Sequence, residues 1–122
     1  DDRSAVLLKR MDYKALTKAY FDAFNKHDAA AVRALFAEKG NLRDWDISKT
    51  GDEVGEAVGG IFKAVPDIKC NILELHVSAE TKTAIAELKI DLKADGSESI
   101  LVADVLQFDT DGKISSLRAY KG

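Results

Sequence analysis

Residues 84–120 read AIAELKIDLKADGSESILVADVLQFDTDGKISSLRAY, and this stretch decides the class of fold. Apolar residues alternate with polar ones along its first part, at Ala84, Ala86, Leu88, Ile90 and Leu92. Strict alternation is typical of a strand with one buried face, and an Asp-Gly pair is a strong hairpin signal. Such pairs occur within the turn at 94–97 and again at 111–112. We therefore expect three consecutive antiparallel strands, the last around residues 114–120.

The middle strand of the three carries the most informative residue. Asp104 interrupts a face that is otherwise apolar, formed by Ile100, Val102, Leu106 and Phe108. Burial disfavours an ionised carboxyl group, so without a cationic partner we expect the pKa of Asp104 to be raised and the group to donate a hydrogen bond near neutral pH. The alternative is a structural role, in which Asp104 binds a backbone amide or Arg118 on the next strand.

Upstream of these strands the pattern changes from a helix to a strand. A helix is expected from Gly51, with a stripe of Val54, Val58, Ile61, Phe62 and Val65, and it should end before Pro66. Residues 68–77 then alternate, with a change of parity between Ile72 and Leu73 that indicates a bulged strand.

Two further helices are expected at the start of the chain. Ser4 is the predicted cap of the first, whose apolar stripe is Leu8, Met11, Leu16, Tyr20, Ala23 and Phe24 and whose end lies near 25–27. Asp28 should cap a second helix with the stripe Val32, Leu35 and Phe36, stopped by Gly40.

Residues 41–46 are expected to form a short strand, which would place Leu42, Asp44 and Asp46 on one face. Asp44 would point to where a pocket opens, although a carboxylate at a strand end is also typical of a turn cap or an exposed group. Tyr20 lies on the apolar face of the first helix, where most tyrosines fill the core and tether the hydroxyl.

Composition and element order together predict one α+β domain over residues 1–122. The sequence is 46% hydrophobic and 32% charged, without a linker or repeat, as is usual for a folded domain of this length. Helices precede a long antiparallel meander, and this order indicates helices packed on one side of a mostly antiparallel sheet.

Several classes of function are disfavoured by composition. The net charge is -3 and the 18 Lys and Arg residues are spread along the chain, so we expect no nucleic-acid partner. One cysteine and two histidines far apart show no metal-ligand spacing, so we expect cofactor-free chemistry or none. No apolar run is long enough for a membrane span or a signal core, which favours a cytoplasmic protein; a removed leader stays open because the chain begins at Asp1.

Two segments resemble the nuclear transport factor 2-like superfamily. Residues 20–44, YFDAFNKHDAAAVRALFAEKGNLRD, are similar to its opening helix pair and first strand. Residues 102–120, VADVLQFDTDGKISSLRAY, are similar to its last hairpin. The resemblance implies a cystatin-like cone, in which three N-terminal helices pack on a strongly curved sheet and enclose an apolar pocket.

Within this superfamily the resemblance is to ketosteroid isomerases, which use a tyrosine on the first helix and two aspartates on the first and penultimate strands. Tyr20, Asp44 and Asp104 stand at the matching places. The resemblance implies that Asp44 is a base, with Asp46 as its rival, and that Tyr20 and a neutral Asp104 bind the oxyanion. Phe36 and Gly59 stand where the isomerases carry supporting tyrosines.

Three functions remain open from the sequence. The first is a cofactor-free enzyme acting on a small apolar carbonyl compound, either an isomerase or a cyclase of the SnoaL type. The second is a pocket that binds a small hydrophobic molecule without catalysis. The third is an association module. Leu101, Ala103 and Val105 make the other face of the Asp104 strand apolar, so we expect a homodimer through the sheet face in any of these cases.

Overall fold

The computed structural model describes residues 11–122, and its elements follow the predicted order. The chain forms α1 (Tyr13–Asn25), α2 (Ala29–Leu35), β1 (Phe36–Arg43), β2 (Ser48–Thr50), α3 (Asp52–Ala64), β3 (Lys69–Ser78), β4 (Thr83–Asp91), β5 (Ser99–Phe108) and β6 (Ile114–Lys121). Within residues 11–122, three helices and a single sheet confirm the α+β class. Among these residues no helix is both long and apolar enough to cross a membrane.

The six strands form one sheet in the order β2-β1-β6-β5-β4-β3. All neighbouring strands are antiparallel except β1 and β6, which are parallel, so the sheet is mostly antiparallel as predicted. The first and last long strands are therefore neighbours in the middle of the sheet. This pairing brings residues about 75 positions apart, such as Arg43 and Arg118, into register.

The core lies between one face of this sheet and the helices. Period-two burial is clear in β4 and β5, whose inward residues are buried and whose alternate residues are more exposed. The aromatic side chains of α1 and the stripe of α3 cover this face: Tyr13, Tyr20, Phe21, Phe24, Val54, Val58 and Phe62. These helices and the inner sheet face enclose the candidate site.

The first helix does not run through Met11 and Asp12 as the spacing predicted. Asp12 has an extended backbone, and its carboxyl oxygen Oδ1 accepts a hydrogen bond from the Ala15 N–H at 3.0 Å, so it caps α1. Met11 and Leu16 stand at the two positions of a hydrophobic staple, and both lie beside Gly112. Because both residues of the staple are apolar, their spacing in the sequence resembles that of a longer amphipathic helix. The predicted cap Ser4 and Leu8 lie outside the described residues.

The predicted end of the second helix at Gly40 is wrong. Asp28 caps α2 as expected, with the Ala31 N–H 2.9 Å from its Oδ1, but the helix ends at Leu35 and Phe36 is already extended. Gly40 lies within β1, where a Cβ atom would stand 2.6 Å from the Ile114 carbonyl oxygen of β6. A glycine is needed there because two strands approach closely, not because a helix stops.

The boundaries of α3, β3 and the two Asp-Gly turns agree with the patterns, whereas β1 begins before residue 41 and β2 was not predicted. α3 begins after Gly51 and ends at Ala64, two residues before Pro66. The register of β3 against β4 shifts between Ile72 and Glu74, where the change of parity predicted a bulge. Both Asp-Gly turns have their glycine at positive φ, +70° at Gly96 and +79° at Gly112, as hairpin turns require.

Candidate functional site

A cavity of about 320 Å³ lies between the inner face of the sheet, α1 and α3. Most of its wall is apolar, which is usual for a small-molecule pocket. The apolar lining consists of Phe24, Leu42, Val58, Ile61, Val65, Ile68, Ile90, Leu92, Ile100, Val102, Leu117 and Ala119. The remaining lining residues are Tyr20, Asp44, Trp45, Asp46, Cys70 and Asp104. Tyr20, Asp44 and Asp104, the three residues singled out in the sequence, all line this one cavity.

Asp104 lies deep in the wall, and none of the described residues places a cation beside it. In the sheet it pairs with Ala86 on β4 and Ala119 on β6, and its side chain is only 6% exposed. Arg118 pairs with Val105 instead and donates to the Ser116 hydroxyl at 2.9 Å, so the alternative of an Asp104–Arg118 ion pair is wrong. Burial, and then the charge of Asp44, raise the pKa of Asp104 to about 7.

Asp44 does not extend the strand as predicted, because β1 ends at Arg43. The Asp44 carboxyl oxygen Oδ1 accepts hydrogen bonds from the N–H groups of Asp46 at 2.7 Å and Ile47 at 2.8 Å. The Asp44 N–H in turn donates to the Ile47 carbonyl at 2.9 Å. Asp44 is therefore a turn-forming residue as well as a cavity residue, and the turn fixes the direction of its carboxyl group.

The two carboxyl groups reach the cavity from either side of β6. In the ladders, Asp104 of β5 pairs with Ala119 of β6, and Arg43, the residue before Asp44, pairs with Arg118. Asp44 itself lies just beyond the end of β1 and is not part of the ladder. Ala119 also lines the cavity, so the β6 residue beside Asp104 contributes only a methyl group to the wall.

Tyr20 reaches the cavity from α1. Its ring is packed edge-on against Phe21, at 4.9 Å between centroids, and against Phe36, at 6.2 Å. Burial, followed by the charges of Asp104 and Cys70, raises the pKa of the Tyr20 hydroxyl well above its usual value. Tyr20 is therefore a neutral hydrogen-bond donor. Phe36 supports it by packing alone, in place of a hydrogen-bonding tyrosine.

Among the described residues, neither the Tyr20 hydroxyl nor the Asp104 carboxyl group is engaged in a hydrogen bond with the protein. Within residues 11–122 no hydrogen bond from another group contributes to the pKa of either side chain. No fully enclosed side-chain oxygen or nitrogen of the described chain lacks a partner, so the free oxygens of these two residues border the cavity.

The structure adds two residues that the sequence did not single out. Cys70 on β3 lines the cavity, and burial, followed by the charge of Asp104, raises the pKa of its thiol, which keeps it neutral. Its backbone N–H and carbonyl are held by the side chain of Asn25 at 2.8 and 2.9 Å. Cys70 is two residues after Ile68, which precedes β3 and is also buried, so the period-two pattern could have indicated this inward position.

Trp45 is the second addition and stands at the rim. It is 45% exposed yet lines the cavity, and the Lys121 ammonium lies 5.6 Å from its ring centroid. Asp46, the rival candidate for the base, also lines the cavity but is exposed. The sequence pattern did not predict that Trp45 lines the cavity, because the residues around it form a turn rather than a strand. No group of three His, Cys, Asp or Glu side chains within 11–122 is arranged as metal ligands.

Comparison with known proteins agrees with this arrangement of helices, sheet and cavity. Residues 17–117 match the SnoaL-like domain family. The chain belongs to the SnoaL-like family. The resemblance to the nuclear transport factor 2-like superfamily is thereby confirmed for nearly the whole chain. No protein with a curated description matches this SnoaL-like chain in sequence.

Solved structures show the same fold at low identity. An uncharacterised cystatin-fold protein from Novosphingobium aromaticivorans is 18% identical with a TM-score of 0.78, covering 90% of this chain and 98% of that one. SalBIII, an epoxide hydrolase/cyclase-like enzyme of pyran ring formation in salinomycin, is 19% identical with a TM-score of 0.76, over 90% of each chain. A candidate polyketide cyclase from Sinorhizobium meliloti is 20% identical with a TM-score of 0.75, over 90% of this SnoaL-like chain and all of that one. The cystatin-like fold is confirmed.

Proposed function

We propose that this SnoaL-like protein is a cofactor-free enzyme that removes a proton next to the carbonyl group of a small apolar compound. The observation that carries the proposal is the pair of carboxyl groups that line one cavity. One is buried with no cation beside it among residues 11–122, and the other is held in a turn at the rim. Two carboxyl groups in such different surroundings suit the roles of acid and base. SalBIII and the candidate cyclase of Sinorhizobium meliloti give the same fold a link to ring-forming chemistry.

In the proposed step, the Asp44 carboxylate takes the proton from the carbon next to the carbonyl. The electron pair of that C–H bond moves to the carbonyl oxygen, which becomes an enolate oxygen and accepts hydrogen bonds from Tyr20 and protonated Asp104. Asp44 then returns the proton to the far carbon of a C=C bond conjugated with the enolate, the carbonyl re-forms, and the compound is isomerised. Alternatively, the enolate carbon attacks a second carbonyl carbon and the first carbonyl re-forms; the new alkoxide oxygen takes the proton from Asp44, and a ring is closed. Both outcomes begin with the same proton transfer.

Asp44 is favoured over Asp46 as the base by geometry. Its Oδ1 is held by two backbone N–H groups, so its direction into the cavity is fixed. Asp46 is exposed, and only its backbone N–H enters this turn. A carboxylate whose orientation is already fixed loses no further side-chain conformational entropy when it takes the proton in each turnover.

Exchange of carbon-bound hydrogen for deuterium tests the proposal directly. Apolar ketones with one to four rings are incubated with the protein in deuterium oxide, and deuterium next to the carbonyl is followed by proton NMR. We expect exchange by the wild type, a loss of about 100-fold or more in Asp44→Asn, and a smaller loss in Asp46→Asn. The amide of the Asp44→Asn variant keeps an oxygen for the turn hydrogen bonds, so this variant should fold.

Asp22→Asn provides the matched control, because Asp22 is an exposed aspartate on α1 and does not line the cavity. Its exchange rate should equal that of the wild type. Absence of exchange with every ketone, in a protein that binds them, would show that the site is not catalytic.

The second candidate is a binding protein without catalysis. It is favoured by the two hydrogen bonds at Asp44 Oδ1, which a purely structural turn would also require. Under this hypothesis Asp44→Asn leaves ligand affinity unchanged, and neither protein exchanges the ligand's hydrogen. The exchange experiment therefore separates the two candidates.

We also propose that two copies associate through the outer face of the sheet. Leu101 is 58% exposed there, and Leu73, Ile85 and Tyr120 add exposed apolar surface on the neighbouring strands β3, β4 and β6. These side chains place exposed apolar surface on four neighbouring strands, and such a face can be buried against a second copy under twofold symmetry. Occupation of this face leaves the cavity on the opposite face free.

A further inference from the structure

The size of the cavity restricts what it can hold. A dry cavity of about 150 Å³ holds one benzene ring. On that scale the volume of about 320 Å³ holds about two rings or about twelve non-hydrogen atoms. A ketosteroid, with four fused rings, needs about 500 Å³ on the same scale. Part of a steroid would therefore stand outside the cavity, beyond Trp45.

The polar groups of the cavity restrict the charge of its ligand. Asp44 and Asp46 lie at the rim, and no Lys, Arg or His is among the described lining residues. The Lys121 ammonium lies over the outer ring of Trp45 rather than in the cavity. A carboxylate that entered would lose its hydration without gaining a cation and would meet two acidic side chains. Anionic ligands are therefore disfavoured.

The inner end of the cavity offers donors rather than charges. The Tyr20 hydroxyl, the Cys70 thiol and the Asp104 carboxyl group are all buried there. Each can donate one hydrogen bond in its neutral form, and together they suit a single acceptor oxygen. A ligand would place this oxygen inward and its hydrocarbon part against Val58, Ile61 and Ile100.

We propose that the substrate class is a neutral ketone of one or two rings that enters with its carbonyl oxygen inward, and that ketosteroids and carboxylates are poor ligands. That the ligand is a substrate rests on the proposed function, whereas the limits on its size and charge apply to any ligand of the cavity. Trp45 makes these limits measurable, since it is the only tryptophan of the chain and stands at the rim.

The test is a titration of Trp45 fluorescence with three probes. They are beta-tetralone as the neutral ketone with two rings, the tetralin carboxylate as its anionic counterpart, and a beta,gamma-unsaturated ketosteroid. We expect beta-tetralone to bind at least tenfold more tightly than either of the others. Equal or tighter binding of the steroid would overturn the size limit, and equal or tighter binding of the carboxylate would overturn the charge limit.

Two variants place the binding in the cavity. Ala119→Leu puts a branched side chain into the cavity wall beside Asp104 and should reduce beta-tetralone affinity at least tenfold. Asp46→Asn removes one rim charge without a change of shape, so it should raise affinity for the tetralin carboxylate severalfold and leave beta-tetralone affinity the same. If Ala119→Leu is unstable, the Asp46→Asn comparison still tests the proposal, and unchanged carboxylate affinity contradicts it.

Deuterium exchange separates this inference from the proposed function. Preferred binding of beta-tetralone without exchange of its hydrogen supports the ligand class and removes catalysis. Rapid exchange of a tightly bound steroid supports catalysis and overturns the ligand class.

Discussion

The charge of Asp44 reaches Asp104 across the cavity and, together with burial, raises the pKa of Asp104 to about 7. The two residues come from strands that are separated by β6, yet they act on one another because the medium between them is mostly apolar. This coupling makes the protonation of Asp104 sensitive to both pH and the identity of residue 44. The pH dependence of exchange activity and the pH dependence of stability both follow from this coupling.

Exchange activity should fall as the pH rises through about 7, because Asp104 donates to the oxyanion only while it is protonated. Asp104→Asn keeps a donor at every pH, so the fall should disappear while the rate at low pH drops by a smaller factor. The measurement is the rate of deuterium exchange against pH for wild type, Asp104→Asn and Asp22→Asn. Persistence of the fall in Asp104→Asn would assign it to another group.

Stability should also depend on pH through Asp104. Since its pKa is raised from 3.8 to about 7 by folding, the stability that it contributes is complete below about pH 4 and is lost as the pH rises to about 7. The total change is on the order of 4 kcal/mol. Urea denaturation of wild type and Asp104→Asn should therefore show a difference in unfolding free energy that grows in favour of the variant over this range. A constant difference would mean that Asp104 is charged in the folded protein.

Tyr20→Phe should lower exchange activity by about 100-fold, because it removes an oxyanion donor worth about 3 kcal/mol. Its effect on stability should be small, since the hydroxyl has no hydrogen bond from another group and the ring contacts with Phe21 and Phe36 remain. Exchange kinetics and thermal denaturation of the same sample check both statements. Phe21→Leu, which perturbs the neighbouring ring, should instead reduce stability more than activity.

Gly40→Ala should destabilise the protein by about 2 kcal/mol or more, because the new Cβ would meet the Ile114 carbonyl oxygen at 2.6 Å. Gly60→Ala is the matched control, since no atom lies within 4 Å of a Cβ there. In the interior of α3, this change should stabilise by about 1 kcal/mol. If the close approach of the strands is the cause, chemical denaturation should show a lower unfolding free energy for Gly40→Ala and a higher one for Gly60→Ala than for the wild type.

Leu101→Lys should shift the protein from dimer to monomer at micromolar concentration, because it places a charge in the middle of the outer apolar face. Sedimentation velocity at matched concentrations measures the change. Ala30→Lys adds the same charge on the exposed surface of α2 and should leave the assembly unchanged. A wild type that sediments as a monomer would contradict the proposed association.

The sequence was most informative where alternation is strict. The inward position of Asp104 follows directly from the parity of Val102 and Leu106, and both neighbours are buried in β5. Helix caps also depend on neighbouring residues, since the side chain of Asp28 caps the start of α2. Such features depend on residues close in sequence, and a pattern can report them.

Features that depend on distant strands were not visible in the sequence. The place of Gly40 is set by the Ile114 carbonyl of β6, and the neighbours of Asp104 are set by the register of three strands. The early end of β1 depends on the turn that Asp44 forms with Ile47. None of these contacts leaves a periodic signal, which explains the errors at both ends of β1.

The parallel pairing of β1 with β6 makes assembly of the site depend on a long-range closure of the chain. Ala119 follows Asp44 by 75 residues, and β6 lies between β1 and β5 in the sheet. The cavity wall is therefore incomplete until β6 has docked between these two strands. Pairings so distant along the chain slow folding, because the loop must close before the contacts stabilise it. Active molecules should thus appear only with the final, slowest phase of refolding.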